Sequence, residues 1–288
     1  MSTTLSAVPV FYRLEMVADA ASYSPSAGKP AQVVKDWLKH SLPIDVRDFE
    51  RVSQETLSLA HEPDYVRGVL SGKLANGFGN FRADVAASLP YTSGAMLAAA
   101  QEAIANHQVA CAPVSGFHHA CYGHAEGFCT FNGLMATALA LRHADAVRRV
   151  GILDLDHHWG NGTEDIMARL DAGWIRHHTS GRRHPSPADA EHYLVGLPKL
   201  VESFGDCDVL MYQAGADAHV DDPLGGWMTS EQLLRRDSIV FGTCAALGLP
   251  VAWNLAGGYQ VDAGGGIGPV LTIHRQTMEA CVAAFVFA

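Results

Sequence analysis

Short apolar runs recur along the chain with amphipathic stretches between them. Segments 8–12, 44–46, 109–112, 150–155, 174–178, 209–212 and 251–255 are mostly unbroken runs of Val, Ile, Leu, Ala and aromatic residues. Runs this short, with little polar alternation, are what strands covered on both faces show. Between them, segments 31–40, 94–106, 132–146, 162–171, 187–204, 230–246 and 268–284 carry apolar residues at helical spacing. Thr229-Ser230 followed by Glu231 opens one of these, and Gly248-Leu249-Pro250 closes it. Strand and helix alternating over the whole length predict a three-layer α/β/α architecture with a mainly parallel sheet. No Pro/Gly/Ser-rich linker or internal repeat divides residues 1–288, which read as a single domain. Segment 73–90, polar with Gly and Asn, reads as a surface loop.

Composition narrows this picture. With 48% hydrophobic and 17% charged residues among 288, the chain can bury a large core and is not of the disordered class. A net charge of −10, with no basic run beyond Arg182-Arg183 and Arg235-Arg236, excludes nucleic acid as a principal partner. The six cysteines, at 111, 121, 129, 207, 244 and 281, form no CxxC pair and no zinc-ribbon spacing. They read as free thiols in a reducing compartment. The run 7–12 is interrupted by Arg13 and Glu15, too short for a signal segment. No run approaches the roughly 18 apolar residues of a membrane span, so a cytoplasmic location without a membrane partner is the expectation. The sequence carries no signal for an oligomeric state.

In parallel sheets, ligands bind outside the carboxyl ends of the strands. The loops there are 115–130, 154–163, 179–184, 214–226 and 256–266, and they hold much of the chain's His, Asp and Gly. A strand alternates its faces, so Asp154, Asp156 and His158 share one side if the strand persists that far. Two carboxylates and an imidazole converging are costly unless they bind a cation or protonated partners. The plainer reading is a polar turn with a helix cap at Thr163. Asp217, just after 209–212, offers a third ligand. Two Asp and one His leave a position open for water, the pattern of a catalytic metal. His118-His119 supplies adjacent imidazoles, and one imidazole of tuned pKa can act as base and then as acid.

In order along the chain stand Gly116-Phe117-His118-His119-Ala120, Gly127-Phe128-Cys129-Thr130-Phe131-Asn132, the block Asp154 to Thr163, Gly215-Ala216-Asp217 with Asp222-Pro223-Leu224-Gly225-Gly226, and Ala256-Gly257-Gly258-Tyr259. Together with His61-Glu62-Pro63-Asp64-Tyr65-Val66 upstream, this series resembles the histone deacetylase and acetylpolyamine amidohydrolase superfamily over residues 60–260. The resemblance implies an arginase-deacetylase-like α/β/α fold with a sheet of about eight strands. It implies one Zn2+ per chain on Asp156, His158 and Asp217, and a structural K+ near Asp154. His119 would be general base and then acid, with His118 its electrostatic partner. Asp154 would hold His118, Asn161 would orient His119, and Tyr259 would hydrogen-bond the developing oxyanion. Gly127 and Phe128 would line an acyl-lysine channel, which the backbone at Gly257 and Gly258 would approach closely. Leu224 stands where polyamine-selective relatives can carry a glutamate. The implied reaction removes an acyl group from an acylated lysine or similar amine by metal-activated water. The alternatives are an acetylpolyamine or small-metabolite deacetylase of the same superfamily, a ureohydrolase of the same fold using two manganese ions, and a non-catalytic zinc-binding scaffold.

The sequence also departs from that pattern. Trp159 stands where many relatives have a second His. Segment 175–184 has neither the usual Ser-Leu-His nor the aromatic residue that follows it, so a second channel wall and a second potassium-binding side chain lack obvious donors. Its Arg and His residues read as a solvated surface. Leu224 tilts the expected substrate toward a neutral acyl-lysine or a lipophilic substrate. His61, His124 and His219 read as rim or structural histidines, Glu126 as exposed, and Cys129 as a buried thiol rather than a nucleophile.

Overall fold

A computed structural model describes residues 5–287. Seven strands form one sheet in the order β2-β1-β3-β7-β6-β4-β5. They are β1 (Val8–Phe11), β2 (Ile44–Arg47), β3 (Val109–Ala112), β4 (Val150–Asp154), β5 (Ile175–Thr179), β6 (Val209–Gln213) and β7 (Val251–Asn254). Every pairing is parallel. All seven expected strands are present within a residue or two, and the sheet has seven strands among the described residues where about eight were expected.

The helices are α1 (Lys29–Lys39), α2 (Gln54–Leu57), α3 (Pro63–Leu70), α4 (Ala83–Asn106), α5 (Gly133–His143), α6 (Asn161–Arg169), α7 (Ala190–Glu202), α8 (Ser230–Leu247) and α9 (Gly268–Phe285). Successive strand residues point to opposite faces, and the core divides accordingly. Val109, Cys111, Leu210, Tyr212, Val251 and Trp253 pack with α1, α7, α8 and α9. Ala110, Ala112, Val150, Ile152, Val209 and Met211 pack with α4, α5 and α6. This is the expected three-layer arrangement. No helix among the described residues is long and apolar enough to cross a membrane.

The stretch read as loop 73–90 is a loop only in part, because α4 begins at Ala83 and runs through Pro90. A proline in a helix removes one donor and ordinarily marks an end. Here Val85, Ala86 and Leu89 are buried on the same helix as Met96 and Ala99, and that packing carries the helix past the break. The Pro90 carbonyl accepts from Val52 N–H at 3.1 Å. Four adjacent strands, β3, β7, β6 and β4, end beside one another at the middle of the sheet, and the loops that follow them meet there.

Candidate active site

Each of the four central strands contributes to one cluster. Asp154 is the last residue of β4, and Asp156 and His158 follow it beyond the strand's end, so strand alternation does not place them. His158 Nδ1 lies 2.9 Å from Asp217 Oδ2, after β6, and 3.3 Å from Asp156 Oδ1. One ligand atom from each of Asp156, His158 and Asp217 lies within 4.8 Å of the other two. Both carboxylates are buried, and the imidazole is one-third exposed. Burial and the Asp156 carboxylate push Asp217 up to about 7. Main-chain donors fix the cluster from behind: His157 N–H on Asp217 Oδ1 at 3.2 Å, and Gly257 N–H on Asp156 Oδ2 at 2.9 Å. A buried anionic cradle of two oxygens and one nitrogen with an accessible side suits a divalent cation such as zinc.

The loop after β3 places two histidines beside the cluster, with ring centroids 4.1 Å apart. His118 Nδ1–H donates to Asp154 Oδ2 at 2.7 Å. Burial works to lower its pKa, but Asp154, Asp156 and Asp217 outweigh burial and push it up to about 9. His119 Nδ1–H donates to Asn161 Oδ1 at 2.6 Å. Burial and the neighbouring His118 charge push its pKa down to about 4, so it is neutral at physiological pH. Asn161 in turn donates through Nδ2 to Glu126 Oε2 at 3.0 Å. Two adjacent imidazoles are thereby held in opposite protonation states.

Gly127 packs on the His119 ring, where any Cβ would lie 2.3 Å from Cδ2. Phe128 follows at φ +64°, and its ring lies 5.8 Å from that of Tyr259. Burial and the Asp217 and Asp156 carboxylates hold the Tyr259 phenol well above its ordinary pKa, keeping it a protonated donor. A Cβ on Gly257 would come within 2.4 Å of the Asp217 carboxylate. Gly258, at φ +140°, backs onto Val270 and Ala216. Leu224 is half-buried, with its N–H on Asp222 Oδ1.

Several contributors escape a reading by sequence. Tyr23 meets Phe128 edge-on at 5.4 Å, and Phe78 lies 5.8 Å from the same ring, so aromatic surface comes from upstream loops rather than from segment 175–184. Lys29, fully buried at the start of α1, donates to Ala256 O at 2.6 Å. Burial pushes its pKa down to about 8 against the pull of Asp217, Asp156 and Asp222. Gln213 joins two loops, accepting from Phe117 N–H and donating to Asp154 Oδ1. Arg236, buried on α8, donates to the carbonyls of Leu155 at 3.1 Å and Gly215 at 2.9 Å, just ahead of the metal-cluster aspartates. Its charge is balanced by Asp237, which also accepts from Tyr212 and Thr277. A lone buried Lys or Arg is costly, and that cost is the only sequence-level hint these residues gave.

Segment 175–184 resolves into pairs. Arg176 bonds Asp206 at 2.7 Å. Arg182 reaches Glu164 at 3.3 Å and lies over the Trp159 ring, 5.7 Å from its centroid, so the two departures at 159 and 182 answer each other. His178 pairs with Tyr193 at 3.1 Å. His61 is structural: its Nδ1–H donates to Cys121 O at 2.9 Å, and its Nε2 accepts from Asn132 N–H at 2.8 Å. His219 Nε2 pairs with Ser230 at 2.9 Å.

Comparison with known proteins agrees with this geometry. A profile described as "Histone deacetylase domain" matches residues 25–179. An uncharacterized protein of Picosynechococcus is 31% identical over 70% of this chain and 75% of its own. A probable deacetylase of Methanothermobacter thermautotrophicus is 31% identical over 51% of this chain and 52% of its own length. Acetylpolyamine amidohydrolase 1 of Pseudomonas aeruginosa is 28% identical, covering 51% of this chain and 49% of its own. The matched region thus spans about half the length of these last two relatives. In fold, the chain is similar to the HDA15 HD domain, with a TM-score of 0.76 over 98% of this chain and 90% of that one at 18% identity.

Proposed function

The chain belongs to the histone deacetylase domain family, and on that premise we propose that it is a zinc-dependent amidohydrolase removing an acyl group from a lysine-like amine. The observation that carries this reading is the cradle of Asp156, His158 and Asp217 set beside a neutral His119. Zinc held there supplies a Lewis acid that polarises an amide carbonyl and acidifies water. His119, its Nδ1 fixed by Asn161, takes the water proton on Nε2 and returns it to the departing amine. His118 keeps its positive charge on Asp154, and that charge stops His119 from retaining the proton. The Tyr259 hydroxyl donates to the carbonyl oxygen as negative charge develops on it. Water and amide become carboxylate and free amine, with no net change in the protein.

A potassium ion near Asp154 would draw on main-chain oxygens. The Asp154 carboxylate already accepts from His118, Gln213 and Asp156 N–H, and the Ser180 hydroxyl donates to Asp156 O. The aromatic surface of Phe128, Phe78 and Tyr23 supports an apolar acyl or alkyl stem as the group bound at the entrance.

The test is turnover of a panel by metal-quantified protein: acetyl-lysine, trifluoroacetyl-lysine and long-chain acyl-lysine peptides, with acetylated putrescine and spermidine. The expected result is hydrolysis of at least one lysine peptide with one zinc at the cluster, abolished in His119→Ala. Hydrolysis of the polyamines alone would shift the substrate to a small amine. No hydrolysis of any member by zinc-loaded protein would overturn the enzymatic reading in favour of a zinc-binding scaffold.

A further inference from the structure

Beginning two residues after His119, the chain gathers three more ligand types in one turn. Cys121 Sγ, a ring nitrogen of His124 and a carboxylate oxygen of Glu126 all lie within 4.8 Å of one another. The turn that carries them is fixed on every side. Cys121 N–H donates to His124 O at 3.0 Å, and Glu126 pairs with Cys129 through both N–H groups at 3.1 and 2.8 Å. From outside the turn, His61 Nδ1–H holds the Cys121 carbonyl at 2.9 Å. Asp165 of α6 accepts Tyr122 N–H at 2.8 Å, and the Arg169 guanidinium lies 4.7 Å from the Tyr122 ring centroid.

The donor set is informative. One thiol, one imidazole and one carboxylate on a pre-shaped turn match the tetrahedral preference of zinc, with the exposed side left for water. The buried Cys121 thiol donates to the His119 carbonyl at 3.6 Å, a weak bond that a cation in place of the proton would replace. Burial and the carboxylates of Asp165 and Glu126 push it up to about 11, and a bound cation reverses that penalty by exchanging for the proton. The same Glu126 carboxylate carries the hydrogen bond from Asn161, whose other end holds His119.

We propose that Cys121, His124 and Glu126 form a second, thiolate-containing site for a zinc-like divalent cation, and that filling it draws Glu126 from Asn161 and so lowers turnover. Binding releases one proton, from the Cys121 thiol to solvent, while His124 binds as the neutral imidazole and Glu126 as the carboxylate. The site itself stands apart from the deacylase reading; its effect on turnover rests on that reading.

Cobalt substitution separates the two sites, because the Asp156, His158 and Asp217 cluster contains no sulfur. Full-length protein titrated with Co2+ is expected to bind two ions per chain. The second should bring an ultraviolet sulfur-to-cobalt charge-transfer band that is lost in Cys121→Ser and weakened in His124→Ala. In the zinc enzyme, excess Zn2+ should depress turnover several-fold in the unaltered chain and leave Cys121→Ser unaffected. One cobalt per chain at saturation, or a sulfur band that survives in Cys121→Ser, would overturn the site. Equal inhibition of both proteins by zinc would overturn the coupling to His119 while the spectroscopic result upholds the site. A chain that shows the band but hydrolyses nothing counts against the deacylase reading alone.

Discussion

The floor of the site and its rim are built differently. On the floor, Asp154, Asp156, Asp217 and His118 are almost completely buried, and each bonds to at least one fixed donor or acceptor. At the rim, Tyr23 is 76% exposed and meets Phe128 only through ring contact, while Glu126 and Leu224 sit on loops partly open to solvent. A buried charge without its partner costs several kcal/mol, so the floor has one workable arrangement. An exposed aromatic ring carries no such penalty, so the rim can vary while the chemistry beneath it stays put. On the proposed function, specificity would belong to the rim and reactivity to the floor.

Substitutions should sort along that division. The largest effect is expected from Asp217→Ala, which removes a ligand and leaves the chain unable to retain its metal. Metal analysis together with a loss of turnover of about 10⁴-fold or more would register it. His119→Ala should keep the metal and lose about 10²–10⁴-fold in kcat. Tyr259→Phe should lose about 10²–10³-fold, also in kcat. If either variant loses its metal instead, the floor is less rigid than its hydrogen bonds indicate. Arg236→Met leaves Asp237 buried with Tyr212 and Thr277 but no cation, and should lower unfolding stability by about 3–5 kcal/mol in denaturant titrations.

A smaller and pH-dependent effect is expected at His61. Burial holds its folded pKa at about 4, below the ordinary 6.5, so between these values the unfolded chain binds a proton that the folded chain refuses. Its contribution is complete above pH 6.5 and is lost as pH falls toward 4, a change of about 3 kcal/mol. Protonation at Nε2 would break the bond from Asn132 N–H. His61→Gln should flatten that part of the stability profile, and a profile as steep as the original would assign the titration to other groups. The smallest effect is expected at the rim: Tyr23→Ala should raise KM for an apolar acyl substrate by about 10-fold or less and leave kcat unchanged. A fall in kcat would mean that rim and floor are coupled.

The same division explains what the sequence disclosed. Central strands such as 109–112 and 209–212 were legible because they are apolar on both faces, as the interior of a parallel sheet requires, whereas the edge strands β2 and β5 carry Asp45, Arg47, Arg176, His177 and His178. Asp154, Asp156 and His158 were legible as a cluster of ligand types at a strand end, although the strand stops at Asp154. Partners that meet only through the fold were not. Lys29 finds Ala256 across 227 positions, and Tyr23 meets Phe128 from a loop with no periodicity of its own. Segment 73–90 reads as loop from its polar character with Gly and Asn, yet the burial of Val85, Ala86 and Leu89 makes its end the first turns of α4. The closeness of Gly257 to the Asp217 carboxylate is a contact that only three-dimensional placement reveals.

The guanidinium of Arg236 has a thermodynamic consequence. Because it grips the carbonyls of Leu155 and Gly215 together, fraying of α8 as far as Arg236 would release the loops that carry Asp156 and Asp217. On the proposed reading, metal occupancy and the local opening of α8 form one linked equilibrium. Amide protons in the first two turns of α8 should exchange with deuterated solvent more slowly as the metal concentration rises, although none of them touches the ion.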